Sequence, residues 1–155
     1  MYQLEVKRWL VTYRFPPSEG WSVRVDIDAM ERAHGWQHPP GKAERTRVAE
    51  SALLSLRANI GAHLEFGCAD IVAAHPKHGL FIVEVEGTSS KQKEQAVYSA
   101  LGQLVLQMQG QNHRFVLAVP DEVSWEIQIR KIPKYIRETL GLSCVLVSEH
   151  SVREA

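Results

Sequence analysis

The chain of 155 residues carries 18 basic and 18 acidic side chains, so its formal net charge is zero. Its hydrophobic fraction of 45% and its charged fraction of 23% are those of an ordinary globular protein, and its length suits one domain with a proper core rather than two. The balance of charge excludes a strongly basic protein that coats nucleic acid nonspecifically, but it is compatible with a local basic groove.

The cysteines and the distribution of apolar residues predict the cellular compartment. Cys68 and Cys144 are far apart in the sequence and have no metal-type spacing, which favours reduced thiols. The segment MYQLEVKRWL lacks the apolar run of a signal peptide, and no segment approaches the roughly 20 apolar residues of a membrane helix. We therefore expect a cytoplasmic protein with no membrane partner.

Residues 1–40 predict a β-hairpin extension. LEVKRWLVTYRF is rich in β-branched and aromatic residues, PPSEG has the composition of a turn, and WSVRVDID alternates apolar and polar side chains. GWQHPPGK then interrupts the pattern with two prolines and two glycines.

Residues 43–147 predict a core of helices and strands with a mixed sheet, within a single domain that spans 1–155. A helix begins near Ala43, and a second amphipathic helix has Ser89 or Ser90 as its cap and Gly110 as its end. A later helical stretch is interrupted by Pro133. With the apolar runs AHLEF, ADIVAA, LFIVEVE, HRFVLAVP and LSCVLV as strands, the order is α-β-β-β-α-β-α-β. Residues 148–155 are expected to form a polar tail.

Three carboxylates lie in the second and third of these strands. Asp70 comes early in one strand, whereas Glu84 and Glu86 come late in the next and point to one face. If the turn lies within 74–80, the two residue numbers of each cross-strand pair add up to about 154. Asp70 then lies opposite Glu84. Facing like charges destabilise a sheet, so a divalent cation is the economical explanation. The alternative is a strand edge that faces solvent.

This order of elements, with acids on two neighbouring strands, resembles the PD-(D/E)xK nuclease superfamily, which has the restriction-endonuclease-like fold. The family pattern is an Asp on one strand, then a hydrophobic strand that ends in Glu-x-Lys, then a helix. Asp70 matches the first acid and Glu84 the second, while Glu86 stands where the lysine usually lies. The resemblance covers 43–147 and implies an α-β-β-β-α-β core followed by a further α-β pair.

Two further residues resemble conserved positions of that superfamily. In Holliday-junction resolvases an early helix carries a Glu followed by apolar residues at fixed spacing, and Glu44 precedes such a stripe here. A Gln inside the later helix is also common, and Gln103 fits it. Without the resemblance, Glu44 is a first-turn acid favoured by the helix dipole and Gln103 is structural.

The resemblance implies hydrolysis of phosphodiester bonds with Mg²⁺ or Mn²⁺, in DNA rather than RNA. Asp70, Glu84 and the backbone carbonyl of Val85 would hold the metal. Glu86 would act as a base or bind a second metal, or Lys91 or Lys93 would replace the missing lysine. The alternative function is an inactive descendant that serves as a nucleic-acid-binding or protein-interaction subunit. The chain could act alone, as a homodimer or in a larger complex.

A basic cluster near the end of the chain has two interpretations. It consists of Arg130, Lys131, Lys134 and Arg137. These side chains either contact phosphates or form one face of an exposed helix. The seven histidines have no zinc-site spacing, and the four tryptophans are expected to pack in the protein interior.

Overall fold

The computed structural model describes residues 1–89, 92–110 and 112–155. Its helices are α1 (Gln3–Tyr13), α2 (Lys42–Ser55), α3 (Lys93–Leu106), α4 (Val123–Ile129) and α5 (Lys134–Leu140). Its strands are β1 (Ser22–Val25), β2 (Asn59–Ile60), β3 (Ile71–His75), β4 (Gly79–Val85), β5 (Arg114–Pro120), β6 (Leu142–Val147) and β7 (Val152–Glu154). Within these residues, each helix is too short or too polar to cross a membrane.

The strands form one mixed sheet in the order β2-β1-β3-β4-β5-β6-β7. Strand β3 is antiparallel to both of its neighbours, β1 and β4, whereas β4, β5 and β6 are parallel. The parallel neighbours β4, β5 and β6 need crossovers, which α3 and the pair α4–α5 provide. One edge of the sheet, formed by strand ends, therefore contains the ends of β4, β5 and β6 and the beginning of β3. Asp70 and Glu84 lie at this edge.

Helices cover both faces of the sheet. On one face α1 and α2 pack against side chains that include Val25, Ile71 and Val83. On the other face α3 and α4 pack against Val72 and Ile82, together with residues of β5 and β6. Because successive strand side chains point to opposite faces, each central strand contributes to both layers of the core. The predicted α/β class with a mixed sheet is thus confirmed.

The predicted N-terminal β-hairpin is wrong, because Gln3–Tyr13 forms helix α1 and only Ser22–Val25 forms a strand. The buried residues of α1 are Leu4, Val6, Lys7, Leu10 and Val11. Most of these positions are three or four residues apart, as on one face of a helix. The composition of LEVKRWLVTYRF favours a strand, but the burial of this face against the sheet decides for a helix.

Other elements agree with the sequence in type and differ in extent. The helices expected near Ala43 and after Ser89 form as α2 and α3, and Pro133 separates α4 from α5. AHLEF does not form a strand, and the two-residue β2 precedes it. The expected polar tail contains β7, which pairs antiparallel with β6 and covers the edge of the sheet.

The register of the β3–β4 hairpin is the predicted one. Ile71 pairs with Val83, and His75 pairs with Gly79 at the turn. Gly79 has a φ of 80°, a conformation that favours glycine. This register sets Asp70, the residue before β3, opposite Glu84 near the end of β4.

Candidate functional site

Asp70 and Glu84 meet at the edge of the sheet where β3 begins and β4 ends. The amide of Val85 donates a hydrogen bond of 2.8 Å to Asp70 Oδ2. Gln3 Nε2 of α1 lies 3.2 Å from Asp70 Oδ1 and donates to it. Glu84 is only 3% exposed, and its Oε1 accepts a hydrogen bond of 3.2 Å from Gln107 Nε2. The strands and both flanking helix layers therefore contribute to holding the two acids.

The cation that faces these acids is the ammonium of Lys7. Its Nζ lies 2.8 Å from Asp70 Oδ1 and 2.8 Å from Glu31 Oε2. It also donates a hydrogen bond of 2.6 Å to the carbonyl oxygen of Asp26. Lys7 is completely buried, so these partners offset the desolvation of its charge. We call Lys7, Glu31, Asp70 and Glu84 the acid–lysine cluster.

A glycine allows α1 to approach the end of β4. A Cβ atom on Gly87 would lie 2.4 Å from the backbone nitrogen of Gln3 and 2.8 Å from the carbonyl carbon of Tyr2. The amide of Thr88 donates a hydrogen bond of 2.8 Å to the carbonyl of Met1. These contacts fix the start of α1 and bring Gln3 and Lys7 to Asp70.

Burial and mutual repulsion change the proton affinities of the cluster. Burial, the negative charge of Asp70 and a hydrogen bond to Asp70 raise the pKa of Glu84 to about 10. Burial also raises the pKa of Glu31 to about 7, against the opposing effect of Lys7. Burial favours a lower pKa for Lys7, but Asp70 and Glu31 together outweigh it and raise that pKa. At neutral pH Glu84 therefore carries a proton, while Lys7 is charged.

A cavity of about 480 Å³ opens beside the cluster. Its lining residues come from the start of α1, the connection 26–41, the start of α2 and the segment after β4, and they include Tyr2, Gln3, Asp28, Met30, Glu31 and Lys42. Gln3 and Glu31 belong to both the cavity wall and the contacts of Lys7 or Asp70. A ligand in this cavity would therefore lie against the cluster.

The carboxyl oxygens of Asp70 and Glu84 are donors of the type that a hard divalent cation prefers. Within the described ranges there is no group of three or more His, Cys, Asp or Glu side chains arranged to hold a metal ion. The two carboxyl groups of Asp70 and Glu84 share a hydrogen bond, and a bound cation would have to displace that proton. Mg²⁺ keeps several water ligands, so two carboxylates and a carbonyl are a sufficient protein share.

The remaining acids of the sequence prediction lie at different places. Glu86 directly follows β4, where its amide donates to the carbonyl of Ala118 at 2.9 Å, and its charge contributes to the raised pKa of Glu84. Glu44 is not part of the cluster. Its side chain is 65% exposed and lies 2.6 Å from Arg47 in a salt bridge on the surface of α2. The charge of Glu44 is thus used at the first turn of its own helix.

The glutamine that contacts the acids is Gln107, which directly follows α3, rather than the predicted Gln103. Gln103 is exposed and lines a shallow cavity with Phe66 and Cys68. Gln107, which follows it by about one helical turn, is buried and contacts Glu84. The helix therefore does present an amide to the acids, from its C-terminal end.

The basic residues of the prediction have protein partners or lie outside the described chain. Lys91 lies outside the described residues, and the ammonium of Lys93 lies 5.4 Å from the centre of the Trp125 ring. The predicted phosphate-binding residues are engaged as follows: Arg130 with Glu126 at 2.6 Å, Lys131 with Glu94 at 3.6 Å, Lys134 with Glu138 at 3.6 Å, and Arg137 with the carbonyls of Ile129 and Ala155. Arg137 thus links the end of α4 to the C-terminal residue.

Sequence reasoning missed Lys7 and Glu31. A lysine between Leu4 and Val11 lies on the apolar face of a helix, and that unusual position would have identified Lys7 once α1 was recognised. Glu31 lies in the irregular connection after β1, where no periodic pattern distinguishes it from an exposed acid.

No family model, no curated protein and no solved structure matches this chain in the comparisons with known proteins. The assignment of a function therefore depends on the chemistry of the acid–lysine cluster and its cavity.

Proposed function

We propose that the protein is a nuclease that hydrolyses phosphodiester bonds, in DNA rather than RNA, with Mg²⁺ or Mn²⁺. The observation that carries the proposal is the Lys7 ammonium, which lies 2.8 Å from Asp70 at the edge of the sheet where β4, the strand that contains Glu84, ends. It supplies the basic group that the Glu-x-Glu sequence lacks. The lysine comes from the first helix rather than from the strand or the following helix.

The order of the elements supports the same resemblance with a changed alignment. Helix α1, strands β1, β3 and β4, helix α3 and strand β5 follow the pattern of helix, three strands, helix and strand. Asp70 then precedes the second core strand, and Glu84 lies near the end of the third. In this alignment α2 and β2 are an insertion, and α1 replaces α2 as the first core helix.

Each residue of the cluster has a role in this reaction. Asp70, Glu84 and the carbonyl of Val85 would hold the cation, and Glu84 would have to lose its proton to act as a ligand. The bound cation would supply an activated water and neutralise the leaving oxygen. Lys7 stabilises negative charge that develops on the phosphate, and Glu31 orients Lys7. Glu86 is the remaining acid that could act as base or as a further ligand.

A second candidate is a nucleic-acid-binding subunit without catalytic activity. The observation that favours it is the occupation of both carboxylate oxygens of Asp70. Lys7 and Gln3 contact Oδ1, and the amide of Val85 contacts Oδ2. In this candidate the ammonium of Lys7 permanently takes the place of the metal.

Titration of Mg²⁺ and Mn²⁺ by calorimetry tests the metal site. We expect binding to the wild type and its loss in Glu84→Gln, because Gln resembles the protonated acid but cannot become a carboxylate ligand. Glu44→Gln is the matched control and should bind like the wild type. In two buffers that differ in ionisation enthalpy, binding should release about one proton, since Glu84 is protonated beforehand.

A cleavage assay separates the two candidate functions. Labelled single-stranded and double-stranded DNA, linear and circular, is incubated with each metal and with a chelator. The nuclease proposal expects metal-dependent hydrolysis that is lost in Asp70→Asn and Glu84→Gln and kept in Glu44→Gln. Unchanged hydrolysis in either of the first two variants contradicts the assigned roles, and an absence of hydrolysis on all substrates favours the non-catalytic subunit.

A further inference from the structure

The acid–lysine cluster is covered rather than displayed on an open surface. Lys7 is 0% exposed, Glu84 3% and Glu31 8%. The connection 26–41, between β1 and α2, contributes Asp28, Met30 and Glu31 to the wall above it. Gln3, which contacts Asp70, and Glu31, which contacts Lys7, both line the cavity, so a group bound there lies next to the cluster.

The connection is tied down at several points. Glu31 reaches inward to Lys7, as described above. Arg32 donates to the carbonyl of Ile27 at 2.7 Å and to the Glu50 carboxylate of α2 at 2.8 Å. These bonds hold the cover against both the cluster and α2, so it forms a fixed wall of the cavity.

The dimensions of the cavity suit one strand and not two. Its volume of about 480 Å³ is in the range of pockets that enclose a small molecule, which corresponds to a group of nucleotide size. A duplex is a broad rod whose phosphates lie on its outer surface, and it cannot enter such a pocket intact. Proteins that process a nucleotide inside a closed pocket act on a single strand or remove the nucleotide from the stack.

The rim of the cavity has the chemistry that binds unpaired strands. Arg45 lies 4.6 Å and Lys42 5.7 Å from the centre of the Tyr2 ring. The indole of Trp36, next to the lining residue Gln37, is 82% exposed. An exposed aromatic face such as that of Trp36 is a typical feature of surfaces that bind single strands, because every base can stack on it.

We infer that the substrate is single-stranded nucleic acid, whose unpaired nucleotide enters the cavity while neighbouring bases stack at the rim; this inference rests on the proposed nuclease function. Fluorescence anisotropy tests it with a labelled DNA strand of about 12 nucleotides and with the same strand in a duplex, in Ca²⁺. We expect the single strand to bind at least about tenfold more tightly than the duplex. Trp36→Ala should weaken binding of the single strand by about tenfold, because it removes a stacking surface.

The control is Tyr135→Ala, which removes an exposed aromatic side chain from α5 and should leave binding unchanged. Equal affinity for duplex and single strand overturns the inference, as does an absence of single-strand binding or an equal effect of Trp36→Ala and Tyr135→Ala. A preference for the single strand without metal-dependent hydrolysis overturns the nuclease function and leaves the binding preference standing.

Discussion

The two ends of the β3–β4 hairpin differ in the chemistry of their side chains. An aromatic–histidine cluster lies at the end where the strands turn. It consists of Phe15, Trp21, His75, His78 and Phe81. Trp21 lies 4.8 Å from Phe15, 5.5 Å from Phe81 and 5.0 Å from His75, measured between ring centres. At the other end the acid–lysine cluster buries an ammonium among carboxyl groups.

The difference separates a region that stabilises the fold from one whose buried charges are costly to desolvate. Packed rings contribute favourable burial and ring contacts. Buried ion pairs contribute little net stability compared with apolar residues of similar size, because their desolvation is costly. The acid–lysine cluster therefore has no advantage as a structural element, which favours a chemical role for it.

The largest expected effect comes from removing the buried cation. Lys7→Met leaves Asp70 and Glu31 facing each other without the ammonium, and we expect it to lower the free energy of unfolding by about 3–5 kcal/mol. Urea unfolding at neutral pH measures this. Lys77→Met, at the exposed turn of the hairpin, is the control and should change stability by less than about 0.5 kcal/mol. A loss for Lys7→Met as small as that of the control would contradict the ion-pair network.

Removing the central ring of the other end should destabilise without affecting the site. We expect Trp21→Ala to cost about 3 kcal/mol, because it deletes contacts to four neighbouring rings. Metal affinity measured by calorimetry on the folded variant should equal that of the wild type. A change in metal affinity would show that the two ends are coupled through the strands.

The close approach of α1 can be disturbed at a single atom. Gly87→Ala places a methyl group against the backbone of Tyr2 and Gln3, so we expect a loss of about 1–3 kcal/mol and weaker metal binding. In Gly102→Ala the added carbon has no neighbour within 4 Å, and helix propensity predicts a gain of up to about 1 kcal/mol. Similar unfolding curves for the two variants would argue against the tight contact.

A pH-dependent effect concerns the proton on Glu84. Its pKa rises from 4.5 to about 10 on folding, so the folded protein retains a proton that the unfolded chain releases. Stability is thus fully present at acidic pH and falls between these values, by about 1.4 kcal/mol per pH unit for one proton. Glu84→Gln should remove this slope, and Glu19→Gln, at the aromatic end, should keep it. Urea unfolding between about pH 7.5 and 9, above the titration of Glu31 and below that of Cys144, measures the slope.

The sequence predicted those features that depend on local patterns. The hairpin register followed from a turn within 74–80 and from two apolar runs, and it correctly paired Asp70 with Glu84. The α/β order after β2 followed from helical and strand periodicity. These signals depend on residues that are close in the chain.

The features that sequence reasoning missed depend on long-range packing. Helix α1 was read as a strand because its β-branched and aromatic residues outweigh a short periodic pattern. Lys7 and Glu31 meet Asp70 only after distant segments dock, which no local spacing reveals. Glu84 is contacted by Gln107 rather than by Gln103 because the packing of α3 on the sheet decides which glutamine points to the acids. The sequence of the helix alone does not reveal this packing.

The position of Lys7 so far from the hairpin has a consequence for the order of folding. The hairpin closes over a turn of neighbouring residues, whereas α1 must be brought in from the start of the chain, and such distant contacts carry a larger entropic cost. We therefore expect Asp70 and Glu84 to come together first and the ammonium to arrive late. Stopped-flow kinetics of Lys7→Met should show faster unfolding and an almost unchanged refolding rate, as for a contact made after the rate-limiting step.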